Sequence, residues 1–183
     1  MTDETEDDRL AARAAAGDAA AFAALLECHY ARVHRIGWRL LGSAEEADDL
    51  AQDVCAGLAH RIAGWRGEAA FTTWLTTLTL NAARDRLRAR GRRVARDAAW
   101  AETDALARAG SEAREADVSW LRGALAALPE DLRETAVLVL DNAMPHAEAG
   151  RALGISAGTV SWRMSEIRRR LKAFAATEEG AIR

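Results

Sequence analysis

An all-α fold, two small helical domains joined by a flexible acidic linker, is what this sequence predicts, and three observations carry the prediction. Roughly a quarter of the 183 residues are alanine, the strongest helix former, and only two are proline. Apolar residues recur at three- and four-residue spacing in several segments, the mark of helices that bury one stripe. Charge falls in blocks. Residues 45–53 hold five acids and no base, 84–96 seven arginines against one aspartate, 102–117 five acids and two arginines, and 163–172 five bases and one glutamate. Blocks of this size point to several distinct partners, some of them polyanionic. The formal net charge is nevertheless −3, so unaided affinity for nucleic acid should be weak, because that affinity comes from phosphate neutralisation.

The elements follow in order. The acidic stretch 1–8 reads as a tail, and 9–16 as a short helix closed by Gly17. Asp18 is placed to cap a long helix reaching about Leu41, with Phe22, Leu26, Val33, Ile36 and Leu40 as its buried stripe. Gly42 and Ser43 end it, and Ser43 can cap the next, whose first turn carries Glu45 and Glu46 beside the positive helix end. There Ala47, Leu50, Ala51, Val54, Leu58 and Ile62 face inward. Gly64 and Gly67 bracket a short loop; a third helix from Glu68 or Ala69, with Phe71, Leu75, Leu78 and Ala82 inward, runs into the arginine block. The first domain is thus expected at 1–93, a linker at 94–118, a second domain at 119–176 and a tail at 177–183. In the second domain a short helix ends before Pro129, another spans 130–140, and Pro145 opens a third that ends at Gly154. Ser156 caps the last, 157–176, with Val160, Met164, Ile167, Leu171 and Phe174 inside.

Several classes of function drop out. No charge-free run approaches the ~20 apolar residues of a membrane span, and the acidic N-terminus is unlike a secretory signal. Two cysteines make no disulfide framework, so a cytoplasmic setting is expected. Cys28, His29, His34, Cys55 and His60 match no zinc spacing, and both cysteines are expected as buried free thiols; no metal and no cofactor is predicted. No nucleophile motif or phosphate-binding glycine loop is present, so the chain is not expected to be an enzyme. Trp38, Trp100 and Trp120 read as packing residues.

Three patterns remain. Residues 146–153, the turn Gly154-Ile155-Ser156 and the helix from Ala157 have a helix–turn–helix layout, whose second helix enters the major groove by its start. Thr159, Ser161, Trp162 and Arg163 sit near that start, while Arg168 and Arg169 lie further along, toward phosphates or solvent. The plain alternative is a helical hairpin with a solvated basic face. Glu45, Asp48, Asp49, Gln52 and Asp53 form an acidic ridge, which on its own reads first as a solvated face. Thr73, Thr77, Asn81, Arg84 and Arg88 make a polar stripe on the third helix. Threonine is a mediocre helix former, so so many of them suggest a contact surface. With Arg66 and Trp74 nearby, that surface suits partly melted nucleic acid.

These segments resemble the extracytoplasmic-function (ECF) group of bacterial RNA polymerase sigma factors, which consist of regions 2 and 4 of the sigma-70 superfamily. AEEADDLAQDV at 44–54 is similar to the group's polymerase-binding helix. WRGEAAFTTWL at 65–75, followed by Asn81, Asp85 and Arg88, is similar to its promoter-melting segment. LAALPEDLR at 125–133 and LGISAGTV at 153–160 are similar to region 4. The resemblance implies that Asp48, Asp49, Gln52 and Asp53 dock on the clamp helices of the polymerase's largest subunit, with the polymerase flap as a further contact. It implies that Arg66, Thr73, Trp74, Thr77, Asn81, Arg84 and Arg88 meet the −10 element, and that Thr159, Ser161, Trp162, Arg163, Arg168 and Arg169 meet the −35 element. An anti-sigma factor is an implied partner. Departures from the pattern are Thr72 and Thr77 in place of basic residues, Ala149 and Gly150 where larger residues are usual, and Trp162 and Glu166 on the reading helix. Glu166 is expected to repel phosphate, and Ala149 with Gly150 to loosen the packing. Two rivals are a stand-alone helix–turn–helix regulator, which would bind duplex DNA without polymerase, and a sigma-like decoy that never touches DNA.

Overall fold

The computed structural model describes residues 4–98 and 123–181, with side chains over 6–93 and 123–176. Of the linker expected at 94–118, residues 94–98 continue the preceding helix and the rest, with Trp100, lies outside the described residues, as does Trp120 of the second domain. Among those residues every regular element is helical: α1 (Glu4–Ala15), α2 (Ala19–Leu41), α3 (Ala44–Arg61), a 3₁₀ turn (Ile62–Gly64), α4 (Phe71–Ala98), α5 (Glu130–Ala136), a π turn (Val137–Asp141), α6 (His146–Leu153) and α7 (Ala157–Ala181).

The helix ends are written locally. Asp18 accepts from the backbone N–H of Ala20 and Ala21 at 3.0 Å each. The Ala21 bond first, then the Arg13 guanidinium, hold its carboxyl below the usual range. Gly42 takes a left-handed conformation (φ +76°) that a side chain would strain. Ser43 then caps α3 through the Glu46 N–H, 3.3 Å away. Gly154 closes α6 at φ +71°, and Ser156 caps α7 through the Thr159 N–H at 3.0 Å.

The buried stripes differ from the expected ones on α2 and α4, and on α7 Leu171 and Phe174 are only half-buried. On α2, Ala21, Leu25 and His29 are buried, and Phe22 and Leu26 only half-buried. On α4 the buried residues include Thr73, Thr76 and Thr79 as well as Phe71, Leu75 and Leu80. The hydroxyls of Thr76, Thr77 and Thr79 donate to the carbonyls of Thr72, Thr73 and Leu75 at 2.7–2.9 Å. A threonine that bonds back to the preceding turn hides its polarity and packs like valine. Of the contact stripe that propensity suggested, Thr73 is therefore a core residue and Thr77 half-buried, while Asn81 and Arg88 stay exposed.

Helices α1–α4 form the first bundle, with α2 packed on α1, α3 and α4; α5–α7 form the second. The two meet where α6 lies on α4 and the π turn lies on α2, and one continuous apolar cluster runs from Ala11 through Leu80 to Ile167. Within the second bundle Arg133 donates to the carbonyls of Leu125, Ala126 and Leu128 at 2.9–3.1 Å, stapling the helical turn that precedes Pro129.

Gly150 reverses another expectation. A Cβ there would stand 2.8 Å from the carbonyl oxygen of Ile155, whose N–H already donates to the Gly150 carbonyl at 2.9 Å. The small residue brings the turn closer instead of loosening it. Gly150→Ala should lower the stability of the second bundle by about 1–3 kcal/mol, read as a lower urea midpoint; an unchanged midpoint would show a turn with room to spare.

Candidate functional site

Helix α3 presents Asp48, Asp49, Gln52 and Asp53 to solvent, opposite its buried Leu50, Ala51 and Val54. The ridge is anchored at both flanks. His34 Nε2 of α2 lies 3.0 Å from Asp48 Oδ1, and Arg86 of α4 bonds the Asp53 carboxylate and the Glu46 carbonyl. Arg90 reaches Glu46 and the Leu41 carbonyl, each at 3.4 Å. Part of the arginine block thus braces α3 from behind, leaving its carboxylates facing outward.

At the start of α4, the aromatic rings of Trp65, Phe71 and Trp74 pack together, Phe71 centred 6.4 Å from Trp65 and 6.0 Å from Trp74. Trp65 Nε1 donates to the Ala69 carbonyl at 3.2 Å and folds the loop back on itself. Gly64, Trp65, Arg66, Glu68, Ala69 and Trp74 line a pocket of about 340 Å³. The helix begins at Phe71, two or three residues later than expected, because this loop occupies the preceding chain.

The expected DNA residues of α4 divide. Thr73 is 2% exposed and cannot reach a nucleic acid in this arrangement. Trp74 and Thr77 are half-buried, while Arg66, Asn81 and Arg88 are exposed. Arg88 pairs with Asp85 on its own helix. Arg84 is held bidentately by Glu134 of α5, at 2.5 and 2.7 Å, and this carboxylate raises the arginine's proton affinity. Asp141 and Asn142, carried by and just after the π turn, reach Arg35 and Arg39 of α2 at 3.1–3.3 Å. Glu134, Asp141, Arg35 and Arg39 carry no local sequence signal: nothing in spacing tells which distant helix they will meet.

On α7, Trp162 is 65% exposed and Arg168 lies in the open. Thr159 takes part in the cap with Ser156, and Ser161 bonds the Ala157 carbonyl with His146 Nδ1 2.9 Å away. Arg163 does not point outward. It donates to the Asp131 carbonyl at 3.2 Å and the Thr135 hydroxyl at 3.3 Å, and pairs with the Asp131 carboxylate, so it joins α7 to α5. Glu166 binds Arg169 and Arg170 at 2.6–2.8 Å, and those two guanidiniums pull its carboxyl down to about 2. It neutralises its neighbours more than it confronts a phosphate.

The thiols also depart from expectation. Cys28 is exposed, not buried, at the rim of an open cleft of about 780 Å³ between the bundles. Cys55 is half-buried, and burial pushes its thiol up. Both are free, and no cluster of metal-binding side chains occurs among the described residues. Nor is any helix among them long and apolar enough to cross a membrane.

Comparison with known proteins follows the same two-part division. A family model described as Sigma-70 region 2 matches residues 25–93, and one described as Sigma-70, region 4 matches 124–173. The chain is 36% identical over 169 residues to the ECF RNA polymerase sigma factor SigM of Mycobacterium tuberculosis (strain ATCC 25618 / H37Rv), covering 92% of this chain and 84% of that protein. It is 33% identical over 182 residues to the RNA polymerase sigma factor NccH of Alcaligenes xylosoxydans xylosoxydans, covering 95% and 97%. The structure of CnrH in complex with the cytosolic domain of CnrY matches with a TM-score of 0.75 at 25% identity, over 94% of this chain and 98% of that one. The sigma factor RpoE from Bartonella quintana, in complex with the anti-sigma factor NepR, shares the fold, with a TM-score of 0.71 at 23% identity over 85% and 96%.

The geometry at Arg84 makes one quantitative claim. A double-mutant cycle with Arg84→Ala and Glu134→Ala should show a coupling of about 1–3 kcal/mol in the unfolding free energy, since the pair is bidentate and Glu134 is only 5% exposed. Additive single effects would mean that the two bundles part freely in solution.

Proposed function

We propose, because the chain belongs to the extracytoplasmic-function sigma factors of the sigma-70 family, that it directs RNA polymerase core to specific promoters and helps open them, with no catalytic step of its own. The observation that carries this reading is the outward carboxylate row of α3, exposed and braced from behind by Arg86 and Arg90. Such a row suits the basic clamp helices of the polymerase's largest subunit. The flap would take the second bundle. The Trp65–Trp74 pocket and the exposed Arg66, Asn81 and Arg88 are the −10 face, sized for bases lifted out of the stack. The exposed start of α7, with Ser161 and Trp162, is the −35 face, and Arg168 further along the helix faces the phosphates. Thr73 and Arg163, being committed inside the fold, act there only by holding it.

Arg84 reaches DNA only by giving up Glu134, so promoter engagement separates the bundles. An anti-sigma factor that favours the closed pair would keep the chain idle until a stress signal removes it. The similar protein CnrH, solved in complex with the cytosolic domain of CnrY, supports a protein partner for this chain. The setting is cytoplasmic, where core polymerase is. Tethering through polymerase also explains how a chain of net charge −3 reads DNA: two weak contacts become intramolecular once the protein is docked.

Run-off transcription with purified core polymerase and a promoter library tests the whole reading. Asp49→Lys with Asp53→Lys should weaken core binding at least roughly tenfold at moderate salt while helicity is unchanged, since each reversal replaces an attraction by a repulsion. Arg168→Ala should lower −35-dependent initiation roughly two- to tenfold and leave core binding alone. Tight, sequence-specific binding to duplex DNA without polymerase would overturn the proposal in favour of a stand-alone regulator.

A further inference from the structure

The N-terminal helix holds the loop ahead of α4 from both sides. Ala70, the residue before α4, has no side-chain acceptor, and alanine is a poor N-cap. The missing acceptor comes from far upstream: Asp8 Oδ1 accepts from the Phe71 N–H at 2.7 Å, across 63 residues of sequence. A carboxylate there also opposes the positive end of a 28-residue helix. One residue earlier, Asp7 is 2% exposed, with its carboxylate 3.1 Å from His29 Nε2. The His29 ring in turn lies against Phe71, 5.5 Å between centroids. Helix α1 also packs on the 3₁₀ turn at 62–64, where the loop begins. Both anchors of loop 65–70 therefore rest on one helix, in a segment whose acidity suggested a solvated tail.

We propose that α1 is the positioning element of the −10 face, with Asp8 as the positioning residue that fixes where α4 starts and so where Trp65, Arg66 and Trp74 stand. Asp8 meets no DNA; it acts through the Phe71 N–H. The inference rests on the reading of that loop as the −10 face. Without the cap the first turn of α4 frays, the loop gains freedom at one end, and recognition of a lifted base loses its fixed walls.

The test uses the full chain with core polymerase on a promoter that the unaltered chain transcribes, and on the same promoter with its −10 element substituted. The quantity read is the ratio of run-off product between the two. Asp8→Ala should shrink that ratio roughly five- to tenfold, raise amide exchange at residues 71–73, and leave core binding unchanged. Asp8→Asn, which keeps an acceptor oxygen, should restore both readouts. Asp8→Leu keeps the bulk without the acceptor and should behave as Asp8→Ala does, which covers the case of an alanine variant that folds poorly. A general loss of folded protein would lower product from both promoters together and leave the ratio intact. An unchanged ratio in both variants, or slow exchange at 71–73 without Asp8, overturns the inference while the reading of the −10 face stands. No −10 dependence in the unaltered chain overturns that reading and this inference with it, and the exchange data still report whether Asp8 caps the helix.

Discussion

Most of the arginines expected to meet a polyanion here are already matched to a carboxylate of their own chain; Arg66 and Arg168 stand exposed outside these pairs. Arg84 holds Glu134, Arg86 holds Asp53, Arg88 holds Asp85, Arg163 holds Asp131, and Arg169 shares Glu166 with Arg170. The 25 bases and 28 acids of the chain are thus not two free populations awaiting partners. For the paired arginines any contact with phosphate is an exchange, in which a phosphate must outcompete a carboxylate already in place. The exposed pairs yield easily, because ion pairs in water contribute little. The Arg84–Glu134 pair yields less easily, because Glu134 sits in the seam between the bundles and would be left buried and unpaired.

That difference organises the molecule. Exposed pairs keep the basic surfaces near neutral and so suppress binding to arbitrary nucleic acid, while the half-buried pairs decide the arrangement of the bundles. Arg84 with Glu134 on one side, and Arg35 and Arg39 with Asp141 on the other, clip the second bundle onto α4 and α2. The π turn is part of this device, since its extra residue in the turn carries Asp141 toward α2. On the proposed reading polymerase docking and strand opening fall on different helices: the α3 carboxylates remain accessible in the closed arrangement, whereas part of the α4 face lies under α6. Docking on that reading would precede opening without any rearrangement of α3.

Much of the fold was legible beforehand because its signals are local. Asp18, Ser43 and Ser156 cap the helices they were expected to cap, and Gly42 and Gly154 end helices where a left-handed residue is needed. The stripe of α7 through Val160, Met164 and Ile167 is buried as its spacing indicates. On α4, Thr76 and Thr79 lie inside because a threonine hydroxyl bonded to the carbonyl four residues back no longer needs solvent, and Thr73, expected on the polar stripe, is buried beside them. Cys28 was misplaced for a related reason, since on a helix packed on three sides the residue beside a buried position can still face a cleft.

The amino-acid order alone determined the helical class, the caps, the two-part division and the row of carboxylates on α3, all of which depend on residues within a turn or two of each other. Only the packed chain decided that Asp8 serves Phe71, that Glu134 occupies Arg84, and that Arg163 belongs to the interior of its own bundle. These partners are 63, 50 and 28 residues apart. A charged side chain advertises that it needs an opposite number, but the spacing of residues along a helix carries no record of which distant helix will supply it.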